Sequence, residues 1–310
     1  MQSYIKRTHM SMRNGFFIAT LGLLPVMVQA QAVLYTGSDT VHPIAEAALS
    51  AFVRGNAAYK PQLKDTGTSP GIKELCAGRA IMAGASRAMK ADELKACSTA
   101  GVQTLEVPVA LDAIVLVVST KNAWLKDLTF AETSKIFDPA SAGKLTSWKQ
   151  IRPSFPDTPI KVAGVDIKHA SFGFFAEQLA LNGFLRSDFK DFKTHALTGA
   201  YVANEPSALG FMALGEASAL TGQVRPIAID FGSGVVTPSI DEIATGKYDK
   251  LSRTVYLYIN TTALAKSSPD DIAYTAALIK DMDKFVRFAN LVPLKALQYQ
   301  ENAKRLASAK

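Results

Sequence analysis

Beyond residue 30 the apolar positions follow two periods in alternation. Short apolar runs read as strands: Val33-Leu34-Tyr35, Ile81 to Ala85, Leu105 to Val118, Ile160 to Gly164, and the alternating Thr254 to Ile259. Between them apolar residues recur at helical spacing. Val41, Ile44, Ala45, Ala48, Leu49 and Phe52 mark one helix, which Gly55 ends. Ile72 and Leu75 mark the buried face of a second, and Phe172, Phe175, Ala176 and Leu179 that of a helix begun by Ser171. Thr129-Phe130-Ala131-Glu132 predicts a capping box and a helix to about Phe137, and Ser239 with Glu242 predicts another, ending at Gly246. Ala91 to Leu94 begins a short helix, and Ser268-Pro269-Asp270-Asp271 opens a last long one, which Pro293 follows. Tyr201-Val202-Ala203 and Leu209 to Met212 read as two short strands around Asn204 to Ser207. Strands alternating with helices predict an α/β fold with mainly parallel sheets.

Three strand-to-helix turns are rich in hydroxyls: Thr36 to Thr40, Thr66 to Ser69, and Asp166 to Ser171. Asp39 or Thr40 is expected to cap the first helix, and Thr68 or Ser69 the second, with Pro70 at the first helical position. A helix start presents unpaired N–H groups and the positive end of the dipole, which favour an anion. Sheets of this kind bind ligands at the carboxyl ends of their strands. The three turns therefore predict one anion site, and Arg87, delivered by the strand that ends at Ala85, adds a forked donor suited to an oxyanion. The competing reading makes the hydroxyls plain caps and Arg87 a solvated surface charge; recurrence of the turn weighs against it.

At 310 residues and 48% hydrophobic content the chain can bury a large core and is expected to form two lobes. Lys6, Arg7 and Arg13 precede the apolar run Phe16 to Val28 and the small-residue cuts near Ala30, which predicts a secretory signal peptide at residues 1–30. No cysteine lies near the cut, so a lipoprotein is not expected. Removing that segment takes away three positive charges and no negative one, lowering the net charge from +7 to +4. The remaining Lys and Arg are scattered among acids, a pattern that does not suggest nucleic acid. Cys76 and Cys97 are the two cysteines, and in an oxidising setting they are expected to pair. With four scattered histidines (His9, His42, His169, His195) and no C-x-x-C, no metal site is expected.

Six segments then stand in a telling order: Gly37-Ser38-Asp39-Thr40-Val41, Gly84-Ala85-Ser86-Arg87-Ala88-Met89-Lys90, Val107 to Ala113, Ile151-Arg152-Pro153, Ala203 to Gly210, and Leu251-Ser252-Arg253. From about Tyr35 to Leu306 the chain resembles the periplasmic phosphate-binding protein family, the substrate-binding component of phosphate ABC transporters. The resemblance implies a two-lobe periplasmic-binding-protein fold of type II, with the ligand cleft between lobes and two crossover strands as hinge. It implies lobes at 31–119 plus 227–310 and at 120–226. Cys76 and Cys97 stand where the branch of the family with an Ala-Ser-Arg turn usually has a cysteine pair. It also implies a dehydrated anion held by N–H groups, hydroxyls and one arginine, with no cofactor and no catalysis. By position, Thr40 gives its hydroxyl and Val41 its N–H. Thr68 gives the hydroxyl of the second turn, Ser86 and Arg87 the third contact, and Ser171 the end of the family's Ser-Gly-Thr turn. Ser38 and Ser69 flank these donors. The implied partners are inorganic phosphate or a related oxyanion and a transmembrane permease; a periplasmic monomer is expected.

The third turn departs from the family. Lys168-His169-Ala170-Ser171 replaces Asp-Ser-Gly-Thr, so alanine stands at the glycine position and a cation at the acid's. Ser69-Pro70 replaces the usual Gly-Gly and removes one donor. Asp39 reads either as acceptor of a monohydrogen phosphate's proton, rejecting sulfate, or as a helix cap. Two other functions compete with the receptor. One is a structural or interaction protein that kept the clamp and lost its ligand. The other is a serine hydrolase, because Gly67-Thr68-Ser69-Pro70-Gly71 matches G-x-S-x-G. The second fails on mechanism, since the residue after the nucleophile must donate its N–H to the oxyanion and Pro70 has none.

Overall fold

The computed structural model describes residues 33–309; the expected signal peptide at 1–30 lies outside the described residues. The strands are β1 (Val33–Gly37), β2 (Leu63–Asp65), β3 (Ala80–Ala85), β4 (Thr104–Ser119), β5 (Asp127–Thr129), β6 (Lys161–Val165) and β7 (Lys190–Phe192). They continue with β8 (Ala208–Ala213), β9 (Val224–Pro226), β10 (Ala228–Asp230), β11 (Val235–Val236), β12 (Ser252–Asn260) and β13 (Val292–Pro293). The helices that bear on the site are α1 (His42–Phe52), α2 (Thr68–Cys76), α3 (Ala91–Thr99), α4 (Phe130–Phe137), α5 (Ala170–Gln178) and α6 (His195–Asn204). Among the described residues no helix is long and apolar enough to cross a membrane.

The main sheet runs β2-β1-β3-β12-β4-β8-β6-β7, with β9 and β13 also on β4 and a separate sheet β11-β10-β5. The 16-residue β4 is its spine. Its first part, Thr104 to Ala113, pairs with β12, and its continuation, Ile114 to Val117, pairs with β8. Both faces of β4 are covered, which is why its sequence reads as one apolar run and does not alternate. β1 lies parallel to β2 and β3, and β6 lies parallel to β7 and β8. β12 and β8 run antiparallel to β4, so the sheet is mixed where mainly parallel pairing was expected. A chain that crosses from one half to the other and returns must bring its crossing strands back in opposite directions.

Two large cores flank the spine. Leu34, Tyr35, Ile44, Val107, Leu257 and Tyr274 belong to one, and Val115, Leu116, Phe137, Phe175 and Phe211 to the other. Ile227, Ile229, Tyr248 and Leu251 pack into the second core, although residue 227 reopens the first lobe in the expected division. A third cluster holds Ile72, Leu75 and the Cys76–Cys97 disulfide, through which α2 and α3 are joined.

Several expected elements are corrected. Val41 is the N-cap of α1 and makes no side-chain cap bond, so neither Asp39 nor Thr40 caps it. Gly67 is the N-cap of α2, so Thr68 and Ser69 are its first helical residues and Pro70 the third. That place still tolerates proline, because the first four N–H groups have no acceptor within the helix. Tyr201-Val202-Ala203 is the end of α6, begun by the Thr194 cap, and not a strand. Ser239 accepts from the Glu242 N–H, but the Glu242 carboxylate pairs with Lys247 and does not return to close the capping box. The last long helix is two, Pro269–Lys280 and Met282–Phe288, and a further helix, Ala296–Ser308, follows Pro293.

Candidate functional site

Close backbone packing brings the first two turns together. Gly37 ends β1 at φ +121°, and a Cβ there would overlap the backbone of Gly84 at the end of β3. A Cβ at Gly71, in the second turn of α2, would overlap the backbone of Gly37. With no side chains between them, the start of α2 sits against the ends of β1 and β3. The Thr68 hydroxyl therefore meets the Ser86 hydroxyl at 3.1 Å and accepts the Ser86 N–H at 3.0 Å. Ser86 is 4% exposed.

Arg87 turns into the same wall. Its Nη1 and Nη2 donate to the two oxygens of Glu93, each at 2.8 Å. Nη2 also donates to Ser69 Oγ at 2.9 Å, and Nη1 to the Ala88 carbonyl at 3.0 Å. Of the five guanidinium donors this leaves the Nε–H for a ligand. The fork of hydrogen bonds from Glu93 raises the Arg87 pKa, and the same bonds hold Glu93 below the usual carboxylate range, against an opposing effect of burial. Ser69, the nucleophile of the hydrolase reading, faces this guanidinium.

The first turn is closed on itself. Asp39 Oδ1 accepts the Thr40 N–H at 2.8 Å, and the Ser38 carbonyl accepts the N–H of Val41 at 3.1 Å and of His42 at 2.9 Å. Ser38 and Val41 are buried. The third turn is engaged in a similar way. His169 caps α5, its Nδ1 accepting the Ser171 N–H at 3.2 Å, and the Ser171 hydroxyl lies 3.4 Å from His195 Nε2. His169 Nε2 stands 3.6 Å from Asp39 Oδ2, which joins the first turn to the third. Burial, with the neighbouring His169, pushes His195 down to about 3, so this ring is neutral near pH 7.

Two adjoining cavities share Asp39. The larger, about 900 Å³, is lined by Asp39, Thr68, Ser69, Ser86, Arg87 and Lys168, and on its far side by Phe174, Arg253 and Tyr256. The smaller, about 210 Å³, takes Thr40, His169, Ser171 and His195. The expected residues are thus divided between two spaces, while Ser38 and Val41 line neither.

Sequence reasoning missed Arg253, Phe174, Tyr256, Glu93 and His195. Arg253 stands on β12, bonded to the buried Asp112 at 3.0 and 3.2 Å, and its guanidinium lies 4.7 Å over the Phe174 ring. The segment Leu251-Ser252-Arg253 carried a signal for it. Phe174 could have been found from spacing, because Ala170, Phe174, Glu177 and Gln178 lie on one face of α5.

Comparison with known proteins agrees with this architecture. The family model of the PBP superfamily domain matches residues 27–286. Protein SphX of Synechocystis sp. is 33% identical over 234 residues, covering 75% of this chain and 70% of its own. The phosphate-binding protein PstS of Staphylococcus saprophyticus is 26% identical over 271 residues, 87% of this chain and 82% of its own. The crystal structure of a possible phosphate binding protein from Planctomyces limnophilus matches with a TM-score of 0.71 at 25% identity, covering 90% of this chain and 98% of that one.

Proposed function

This chain belongs to the PBP superfamily, and from that membership and the lining of its cleft we propose that it captures phosphate, or a similar tetrahedral oxyanion, for uptake by an ABC transporter. The observation that carries the reading is the wall where Thr68, Ser69, Ser86 and Arg87 meet through hydrogen bonds of 2.9 to 3.1 Å, with Lys168 lining the same space. Arg87 supplies a full charge and its Nε–H. The N–H groups of Thr68 and Ser69 and the Ser86 hydroxyl supply neutral donors, and the positive end of α2 points the same way. Closure of the two lobes about β4 and β12 brings the Lys168 side of the cleft onto the bound anion. Thr40, Val41 and Ser171 join only if closure frees them from their present partners. Asp39 takes the ligand's proton and turns away anions that have none. The protein is exported, works as a periplasmic monomer, presents its ligand to a transmembrane permease and performs no chemistry on it.

Calorimetry with phosphate, arsenate, sulfate and molybdate tests this. Phosphate at 100 times its dissociation constant should stabilise the fold by about 2.7 kcal/mol. If none of the four anions gives heat or stabilisation, the protein is a ligand-less scaffold on the same fold.

A further inference from the structure

We infer that the cleft is built for phosphate monoesters, with the phosphoryl group on the Thr68, Ser86 and Arg87 wall and the organic group against Phe174 and Tyr256. The inference rests on the anion-receptor reading and narrows its ligand class.

The first argument is an inventory of donors. A dehydrated inorganic phosphate has four oxygens to satisfy, and each one left bare is costly. Around this cleft the donors of two turns are already engaged. The Thr40 N–H is held by Asp39, those of Val41 and His42 by the Ser38 carbonyl, and that of Ser171 by the His169 ring. What remains open is a single wall: the first N–H groups of α2, the Ser86 hydroxyl and Arg87, with Lys168 beside it. One wall of donors suits the three terminal oxygens of a monoester. The fourth oxygen, bonded to carbon, carries little charge and needs no donor.

The second argument is what that fourth oxygen would face. The far side of the cavity is formed by Ala170 and Phe174 of α5 and by Thr254 and Tyr256 of β12. Phe174 is held beneath the Arg253 guanidinium at 4.7 Å, and Tyr256 is stacked on Tyr258 at 6.0 Å between ring centroids. Both rings are half-buried and braced from behind, so they form a preformed surface. Aromatic carbon offers an inorganic anion nothing, but it can bury the carbon part of an ester. The cavity of about 900 Å³ falls in the range of pockets for small organic molecules.

The test is calorimetry of the purified protein with inorganic phosphate, phenyl phosphate and sn-glycerol 3-phosphate, repeated on Phe174→Ala and Tyr256→Ala. Phenyl phosphate should bind at least tenfold more tightly than phosphate, and each variant should lower the ratio of the two affinities tenfold or more. Phosphate binding that excludes both esters overturns the inference and leaves the anion receptor standing. Absence of binding by all three probes overturns both. Tight ester binding with a ratio that neither variant moves overturns the assignment of the aromatic wall.

Discussion

Removal of the Arg87 side chain has two separable costs for phosphate binding. Four of its donors are occupied by Glu93, Ser69 and Ala88, so the direct loss is one charge-assisted bond from Nε, about 1.5–3 kcal/mol. The second cost comes from Glu93. Its carboxylate, neutralised by a forked pair at 2.8 Å, would be left bare and facing the anion. At roughly 7 Å, across the width of the vanished guanidinium, and an effective dielectric of about 20, the repulsion is about 2 kcal/mol. Arg87→Ala should therefore weaken phosphate by about 4 kcal/mol, roughly a thousandfold. Adding Glu93→Gln to it should recover about 2 kcal/mol of that, roughly thirtyfold, although the double variant has lost the ion pair altogether. Titration calorimetry on the parent, both single variants and the double variant measures each step. An Arg87→Ala protein that binds phosphate like the parent refutes the site, and a double variant no better than the single refutes the role given to Glu93.

Other consequences can be measured independently. Gly71→Ala puts a methyl group into the Gly37 backbone; it should destabilise the fold by about 1–3 kcal/mol in urea titration and weaken anion binding by shifting the α2 start. Because the His195 pKa is lowered to about 3 in the folded protein, the unfolded chain takes up the proton first, and stability is lost as pH falls from about 6.5 toward 3. His195→Phe should flatten that limb of a pH series of urea midpoints. Glu93 acts in the same direction at lower pH, since its depressed value gives stability that disappears as the carboxylate is protonated. Replacing Cys76 and Cys97 by serine opens a 21-residue separation and should cost about 3 kcal/mol of stability by the chain-entropy model, with little change in phosphate affinity.

The strands and the helix starts were legible because their signals are local. β3, β4 and β12 are runs of Ala, Val, Ile and Leu, and the turns at Thr36 to Thr40 and Thr66 to Ser69 have the hydroxyl and glycine content that a helix start demands. What failed depends on neighbours distant in sequence. Tyr201 and Val202 look like a strand until the Thr194 cap is recognised ten residues or fewer upstream, and burial of Thr198, Gly199 and Val202 along one face makes the helix. The helix Ala296–Ser308 buries only Tyr299, Asn302 and Leu306, too narrow and too polar a stripe to announce itself. The engagement of the first-turn donors by Asp39 and Ser38 could not be read at all, because it depends on how the turn folds back. Arg253 joins the cleft through Asp112, 141 positions away, a separation no local pattern reveals.

The pairing of β12 with β3 and β4 also dictates an order of events during synthesis. Asn260 lies opposite Thr104 and Ile259 opposite Met82, so the first core lacks its middle strand until most of the chain has been made. Tyr274, Leu278 and Val286 of that core come later still. The amino-terminal half must therefore wait, exposed, for residues from the far end, and contacts of such long range form slowly. A ribosome-stalled fragment ending before residue 252 should be digested by protease at β1 and β3 while the full-length chain resists, and chaperones that hold unfolded segments have their longest opportunity on these first hundred residues.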